Sequence, residues 1–387
     1  MIYLDHAATS FPKPEEVYRG MDAFVRSAGA NPGRGGHRLA VEAEAMLQET
    51  RGLLARLFGA ARPEQVVFAL NASDALNMAI KGVLRPGDHV VTTVLEHNSI
   101  SRPLNRLEAA GQITLTRLPA GADHVVEPDA VRRAITRRTR LVAMTHAANV
   151  TGTIQPVGGI GPLVRAAGAL FLVDAAQSAG AVPIDVGRDA IDLLAFTGHK
   201  GLFGPTGTGG LLVGERADVR PWREGGTGGD ASNPVQPEEL PHRLEGGTPN
   251  VFGIAGLREG LRVVGARGVD AILRHERRLL KRLLSSMRRA EAWRWFGAER
   301  VLLDRDGEGR VGLVAFERPG LPPADLATRL EREFDLAVRA GLHCAPYAHR
   351  HLGTFPAGAA RISVGLSTTD ADIDAAAAAL DAIAATS

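Results

Sequence analysis

Between about residue 40 and residue 215, short apolar runs rich in β-branched residues alternate with longer stretches at helical spacing. This alternation limits the possible folds more than any other feature of the chain. The runs are Val66-Val-Phe-Ala, His89-Val-Val-Thr-Thr, Arg140-Leu-Val-Ala-Met-Thr, Ala169-Leu-Phe-Leu-Val-Asp, Asp192-Leu-Leu-Ala-Phe and Gly210-Leu-Leu-Val. Most are apolar without a break, as suits strands covered on both faces. Helical patterns, such as 41–58 and 74–81, lie between most of them. The order is that of βαβ units and predicts an α/β fold with a mostly parallel sheet. Beyond it, a long helical pattern begins near Phe252 and runs toward Arg289. It is followed by a strand at Gly312-Leu-Val-Ala-Phe, a helix over Pro323 to Phe334, a strand at Ala360-Arg-Ile-Ser-Val-Gly and an alanine-rich helix. The expected organisation is a large domain over 15–255 and a smaller α+β domain made of 1–14 and 256–387. Gly225-Gly-Thr-Gly-Gly-Asp and Glu245-Gly-Gly-Thr-Pro-Asn show no periodicity and read as functional loops.

Composition excludes several classes. The chain has 387 residues with 45% hydrophobic and 23% charged, so nothing points to disorder. The formal net charge is +2 and the arginines are scattered, so nucleic acid is not an expected partner. No apolar run reaches bilayer length, so no membrane association is expected. The run Arg274-His-Glu-Arg-Arg-Leu-Leu-Lys-Arg-Leu-Leu reads as an amphipathic helix with a solvated basic face. Met1-Ile-Tyr-Leu-Asp-His has no basic stretch before an apolar one, so no export signal is expected. With a single cysteine, this points to the cytosol.

Lysine is scarce enough to be searched by elimination. Lys13 lies between two prolines, Lys81 ends a helical pattern, and Lys281 belongs to the basic helix. Lys200 alone follows a strand-like run, within Thr197-Gly-His-Lys200-Gly. Asp174 closes another such run. In parallel α/β sheets ligands bind outside the carboxyl ends of strands. A lysine and an aspartate meeting there are what pyridoxal phosphate needs: an amine to attach it, and a carboxylate to keep its ring nitrogen protonated. Taken as a bare pair, a strand-end Asp capping a turn and an exposed Lys is the better reading. Asn71-Ala-Ser73-Asp74 opens a helical pattern after a strand. A helix N-terminus with a Ser hydroxyl is an anion site, or Ser73 is simply an N-cap. Thr197 and His199 could add donors. His97, in Glu96-His-Asn-Ser, could stack on a flat ring or move protons.

The lone cysteine, Cys344, lies in Arg339-Ala-Gly-Leu-His-Cys-Ala-Pro-Tyr. It can form no internal disulfide and is either a buried filler or a nucleophile. Gly341 loosens the backbone before it and Pro346 stiffens it after. His343 and Arg339 could supply positive charge that favours a thiolate. His343, Cys344, His349 and His351 are close in sequence, but Pro346 and the tight spacing disfavour their convergence, and no metal site is expected. No Gly-x-Gly-x-x-Gly joins a first strand to a helix, so a nicotinamide enzyme is a poor fit.

Seven pieces in order resemble one family. They are Tyr3-Leu-Asp-His-Ala-Ala-Thr-Ser10, Glu96-His97, Asn149-Val-Thr-Gly152, Val173-Asp174-Ala-Ala-Gln177, Gly198-His199-Lys200, Gly247-Thr248-Pro-Asn250 and Arg339-Ala-Gly-Leu-His-Cys344. Together they look like the cysteine desulfurases of the class V aminotransferases. The resemblance covers nearly the whole chain and is nearest to the Suf-type and selenocysteine-lyase-like branch. It implies a type I pyridoxal-phosphate-dependent transferase fold and a homodimer. It implies that Lys200 carries the cofactor, Asp174 pairs with the ring nitrogen, Gln177 bonds the ring hydroxyl and His97 stacks on the ring. Ser73, Thr197 and His199 would hold the phosphate, with Thr248 reaching in from a second subunit. Asn149 and Arg361 would bind the substrate carboxylate, with Arg339 beside them, and Asn149 would also lie against the cofactor. Cys344 would take sulfur from L-cysteine as a persulfide, leaving L-alanine, and pass it to an acceptor protein. A selenocysteine lyase, or another class V reaction with Cys344 a bystander, is the alternative.

Some positions depart from the family pattern. Ala72-Ser73-Asp74 replaces the usual Thr-Thr-Glu but keeps a hydroxyl. Leu342 replaces a second histidine, and Val364-Gly-Leu-Ser-Thr follows the carboxylate arginine. Asn31-Pro-Gly-Arg34-Gly-Gly-His37 is glycine-rich and is expected to shape the mouth of the site.

Overall fold

The computed structural model describes residues 1–33, 36–227, 232–297 and 309–386. In chain order the strands are β1 (Ile2–Tyr3), β2 (Val66–Ala69), β3 (Asp88–Thr93), β4 (Ile113–Leu118), β5 (Thr139–Thr145), β6 (Leu170–Asp174), β7 (Leu193–Thr197), β8 (Gly209–Val213), β9 (Arg294–Phe296), β10 (Leu313–Glu317), β11 (Leu336–Ala337), β12 (Arg339–Gly341) and β13 (Ala359–Ser363). The helices are α1 (Glu15–Ala28), α2 (Arg38–Phe58), α3 (Ala72–Val83), α4 (Asn98–Ala109), α5 (Pro128–Ala134), α6 (Val157–Ala166), α7 (Val251–Arg267), α8 (Val269–Ser286), α9 (Pro323–Phe334), α10 (Pro346–Leu352) and α11 (Asp370–Thr386).

Seven strands form the central sheet in the order β2-β8-β7-β6-β5-β3-β4. From β7 through β6, β5 and β3 to β4 all pairings are parallel, and β8 runs antiparallel to both β7 and β2. The unbroken apolar runs have the cause inferred for them. Phe171 and Val173 of β6 enter the core on one face, with Leu194 and Phe196 of β7. Leu170, Leu172, Leu193 and Ala195 enter the core on the other. Period-two alternation thus buries every residue of both strands.

One strand lacks the unbroken apolar run of its neighbours: β4, whose Ile-Thr-Leu-Thr-Arg-Leu alternates because it is an edge strand with only its ends fully buried. One expectation is corrected. The single helical pattern from 252 toward 289 is two helices, broken at Gly268. Its φ of 80° and ψ of 132° lie outside helical space, and φ lies where glycine alone is at ease.

The C-terminal part builds a second sheet, β12-β13-β10-β9, entirely antiparallel, over a separate apolar core containing Val314, Phe316, Ile362 and Leu380. The N-terminal β1 pairs in parallel with β11 and places Leu4 in that same core. This returns Asp5 to the side of β13, where it bridges Ser363. No helix among the described residues is long and apolar enough to cross a membrane.

Candidate active site

The carboxyl ends of β5, β6 and β7 place Thr145, Asp174 and Thr197 along one edge of the sheet. Loops leaving that edge carry Asn149, Gln177 and Lys200. The N-termini of α3 and α4 bring Ser73 and His97. From the second sheet, β12 and β13 contribute Arg339 and Arg361, and the turn before α10 contributes Cys344. These residues, with His199, line one cavity of about 280 Å³. Thr248 does not. It lies on a separate cleft of about 480 Å³ with Arg51, His242 and Glu245. That cleft, and not the mouth of the first cavity, is where Asn31 and Gly33 of the glycine-rich segment face. Arg34, Gly228, Gly229 and Asp230 lie outside the described residues.

Lys200 sits at the cavity with its amine pushed down to about 8, chiefly by burial, while Asp174 opposes the shift. The loop before it is tightly held. The His199 carbonyl accepts from Ser10 N (3.0 Å), Thr9 Oγ1 (3.0 Å), Lys13 Nζ (2.8 Å) and Ser10 Oγ (3.2 Å). Lys13, set aside in the elimination above, therefore braces the segment that carries Lys200. Asp174 is buried, which raises its carboxyl above the usual range, and Oδ1 accepts from Ala176 N at 2.9 Å. Gln177 Nε2 donates to the Ala7 carbonyl at 3.0 Å.

At the other end of the cavity the cap of α3 is Asn71, not Ser73. Asn71 Oδ1 accepts from Asp74 N at 3.0 Å. Ser73 Oγ is left to meet Ser99 Oγ at 2.5 Å, and Ser99 Oγ also meets His97 Nδ1 at 2.8 Å. Ser99 is thus a site residue that the sequence reading missed, although it lies in the Glu-His-Asn-Ser run quoted there. His97 caps α4, its Nδ1 accepting from Ser99 N at 3.1 Å. Burial, helped by Lys200, lowers it to about 4, so its imidazole is neutral near pH 7. His199 is lowered to about 4 by burial, and its Nδ1 is buried with no partner among the described residues. Two serine hydroxyls, a helix N-terminus and an orphaned imidazole nitrogen form an anion seat.

Arg361, expected to bind a substrate carboxylate, lies inside β13 and is 2% exposed. Nη1 donates to the Asn149 carbonyl at 2.9 Å and Nη2 to Asp5 Oδ1 at 2.8 Å, while Nε is buried without a partner among the described residues. Asp5 is a second residue the sequence reading missed. It belongs to the Tyr-Leu-Asp-His run, but only the fold shows that it faces Arg361.

Cys344 is exposed. The positive charge expected from His343 is absent. Burial first, then the Arg361 cation, lowers that imidazole to about 2. It is neutral, with Nδ1 3.3 Å from His349 Nε2, whose own Nδ1 meets Thr354 Oγ1 at 2.7 Å. The looseness expected at Gly341 (φ 109°) extends further: His343 (φ 48°) and Cys344 (φ 57°) are both left-handed. Among the described residues no group of three or more His, Cys, Asp or Glu is placed to hold a metal ion.

The residues present fit pyridoxal phosphate. The cavity holds a lysine of lowered basicity, a buried carboxylate one strand away, a flat neutral imidazole and an anion seat. An unpaired guanidinium edge can also receive a carboxylate.

Residues 2–376 match the family model for class-V aminotransferases. A probable cysteine desulfurase of Methanothermobacter thermautotrophicus is 34% identical over 380 residues, covering 96% of this chain and 92% of that protein. One from Pyrococcus abyssi is 36% identical over 353 residues, covering 89% of this chain and 85% of that protein. The apo structure of the cysteine desulfurase of Thermococcus onnurineus superposes with a TM-score of 0.91 at 32% identity, covering 100% of this chain and 95% of that one.

Proposed function

Because this chain belongs to the class-V aminotransferase family, whose cysteine desulfurases depend on pyridoxal phosphate, we propose that it is itself a cysteine desulfurase. It converts L-cysteine to L-alanine and takes the sulfur onto Cys344. One observation carries the reading: the only thiol in the chain lines the same cavity as Lys200, Asp174 and Arg361. A bystander cysteine has no reason to be there.

Lys200 would hold the cofactor covalently, with Asp174 at its ring nitrogen and Gln177 at its ring hydroxyl. His97 would lie on its face, and Ser73, Thr197 and His199 at its phosphate. Bound there, pyridoxal phosphate supplies an electron sink that lets the Cα–H bond of an amino acid break. Arg361 receives the substrate carboxylate by two parallel N–H donors, and Arg339 adds charge beside it. The Lys200 amine, lowered to about 8 by burial and so partly neutral near neutral pH, takes the Cα proton. Cys344, as thiolate, attacks the substrate sulfur. A sulfur–sulfur bond forms, the carbon–sulfur bond breaks, and its electron pair stays with the carbon skeleton that leaves as alanine. A persulfide on an exposed cysteine can be handed to an acceptor protein.

Thr248 lines a separate cleft and not the Lys200 cavity of its own chain. The reading therefore includes a homodimer in which Thr248 of a second copy reaches the phosphate seat. A monomer with full cofactor occupancy in sedimentation would overturn that part.

The test compares wild type with Cys344→Ala for alanine and sulfide release from L-cysteine, with the visible absorbance of the bound cofactor recorded. The variant should stay coloured and lose sulfide release by at least about 100-fold. An undiminished rate would point to another class V reaction. Turnover of L-selenocysteine alone would point to a lyase for that amino acid.

A further inference from the structure

Two consecutive non-glycine residues in left-handed conformation are costly, roughly 1 kcal/mol or more each, and persist only where their surroundings hold them. His343 and Cys344 form such a pair. Both of their carbonyls are gripped from outside the turn. The His343 carbonyl accepts from Asn149 Nδ2 at 2.6 Å, and the Cys344 carbonyl accepts from Asn98 N, at the start of α4, at 2.7 Å.

Asn149 does more than hold this turn. Its backbone carbonyl accepts from Arg361 Nη1 at 2.9 Å. It is itself rigid: it is 8% exposed and lies in a tight loop in which Gly152 N donates to the Ala148 carbonyl at 2.9 Å and Ala148 N to the Thr153 carbonyl at 3.0 Å. A side-chain amide nitrogen carries two N–H donors. The contact with the His343 carbonyl uses one, and Asn149 lines the cavity where the other is available.

We propose that Asn149 is a positioning residue that joins the seat of the substrate carboxylate at Arg361 to the strained turn carrying Cys344. A carboxylate on Arg361 takes the second N–H of the amide and so further restrains a turn that Asn149 already holds. This rests on the desulfurase reading above and goes beyond carboxylate binding. Occupancy at Arg361 changes the state of a cysteine that the carboxylate does not touch.

Because Cys344 is the only cysteine, alkylation of the cofactor-loaded protein by iodoacetamide reports on it alone. L-alanine, which has the carboxylate and no sulfur, serves as the probe, and the visible absorbance reports its binding. In wild type, saturating L-alanine should slow labelling about fivefold or more. In Asn149→Ala, labelling without L-alanine should be several-fold faster than in wild type. Saturating L-alanine should still change the absorbance but no longer the labelling rate. Asn149→Ser, whose uncharged side chain is too short to reach the His343 carbonyl, should behave in the same way if the alanine variant folds poorly. Equal protection by L-alanine in wild type and variants would overturn the coupling and leave the desulfurase reading intact. No absorbance change with L-alanine in wild type would overturn both.

Discussion

Arg361 Nη2 and Asp5 Oδ1 meet at 2.8 Å where the N-terminal segment lies against β13, and Asp5 is the only carboxylate paired with Arg361 among the described residues. The guanidinium is 2% exposed, so its charge has little water to solvate it. An arginine proposed to receive a substrate carboxylate is in this way kept charged and oriented by a permanent one. Its Nε is buried and has no partner among the described residues.

Replacing Asp5 by Asn should strand that charge. Removing one partner of a buried pair costs about 3–5 kcal/mol. Here about 2–3 is expected, because the Asp5 side chain is 19% exposed. The loss should shrink when L-alanine is present, since its carboxylate replaces the missing one. Thermal unfolding of both proteins with and without L-alanine checks this. A melting point that falls in Asp5→Asn and shows no greater ligand response than wild type would refute it.

Lys200 gives a prediction in pH. Burial lowers its amine to about 8, against an ordinary value near 10.5. Only the neutral amine can bond to the cofactor aldehyde. The rate of cofactor uptake by stripped protein should therefore climb about tenfold per pH unit up to pH 8 and level off above it. Stopped-flow absorbance across pH 6 to 10 measures it. A climb that continues past pH 10 would mean the amine is not desolvated.

What could be read ahead of the structure follows a physical division. β6 and β7 were legible because strands buried on both faces must be apolar at every position. β4 was not, because an edge strand needs no such run. Lys200 and Asp174 could be placed together because each ends a strand of a parallel sheet, and the sheet aligns those ends. Asp5 with Arg361, Ser73 with Ser99, and Lys13 with the His199 carbonyl could not be read. Each depends on loops or on a second sheet whose docking no local pattern encodes. The charge of His343 was misjudged for a related reason: the fold buries this imidazole beside the Arg361 cation, and both disfavour a second positive charge.

Gly180 tests how closely the Lys200 loop is seated. Its φ is 80°, and a Cβ placed on it would lie 2.2 Å from the Gly201 carbonyl oxygen and 2.7 Å from its carbon. Alanine there is strained and drives the backbone next to Lys200 away from the cavity. A displacement near 1 Å at a catalytic group costs on the order of 100-fold in rate. Gly180→Ala should keep its far-ultraviolet circular dichroism and lose about that factor in kcat, with slower cofactor uptake. Unchanged kcat would show that the loop has room to spare.

Glu96 should leave a signature in the pH dependence of stability. It is fully buried, its carboxyl is pushed up to about 8 by burial, and Thr93 Oγ1 donates to Oε1 at 2.5 Å. In the unfolded chain the same group titrates near 4.5. Between these values the folded state holds a proton that the unfolded state has released. Stability therefore falls as pH rises through this window, by up to about 1.4 kcal/mol per pH unit, and the loss levels off above pH 8. Buried Glu276 is also raised to about 8 and contributes with the same sign. The buried neutral histidines His97, His199 and His343 contribute with the opposite sign below about pH 6.5, so the fall from the two glutamates shows in wild type between about pH 6.5 and 8. Glu96→Gln keeps the shape and cannot ionise. It should lower that slope by about one proton, so that wild type is the less stable of the two near pH 8 relative to their difference near pH 5. Urea unfolding of both proteins at four or five pH values gives the slopes, and identical slopes would mean that Glu96 is ionised in the folded protein.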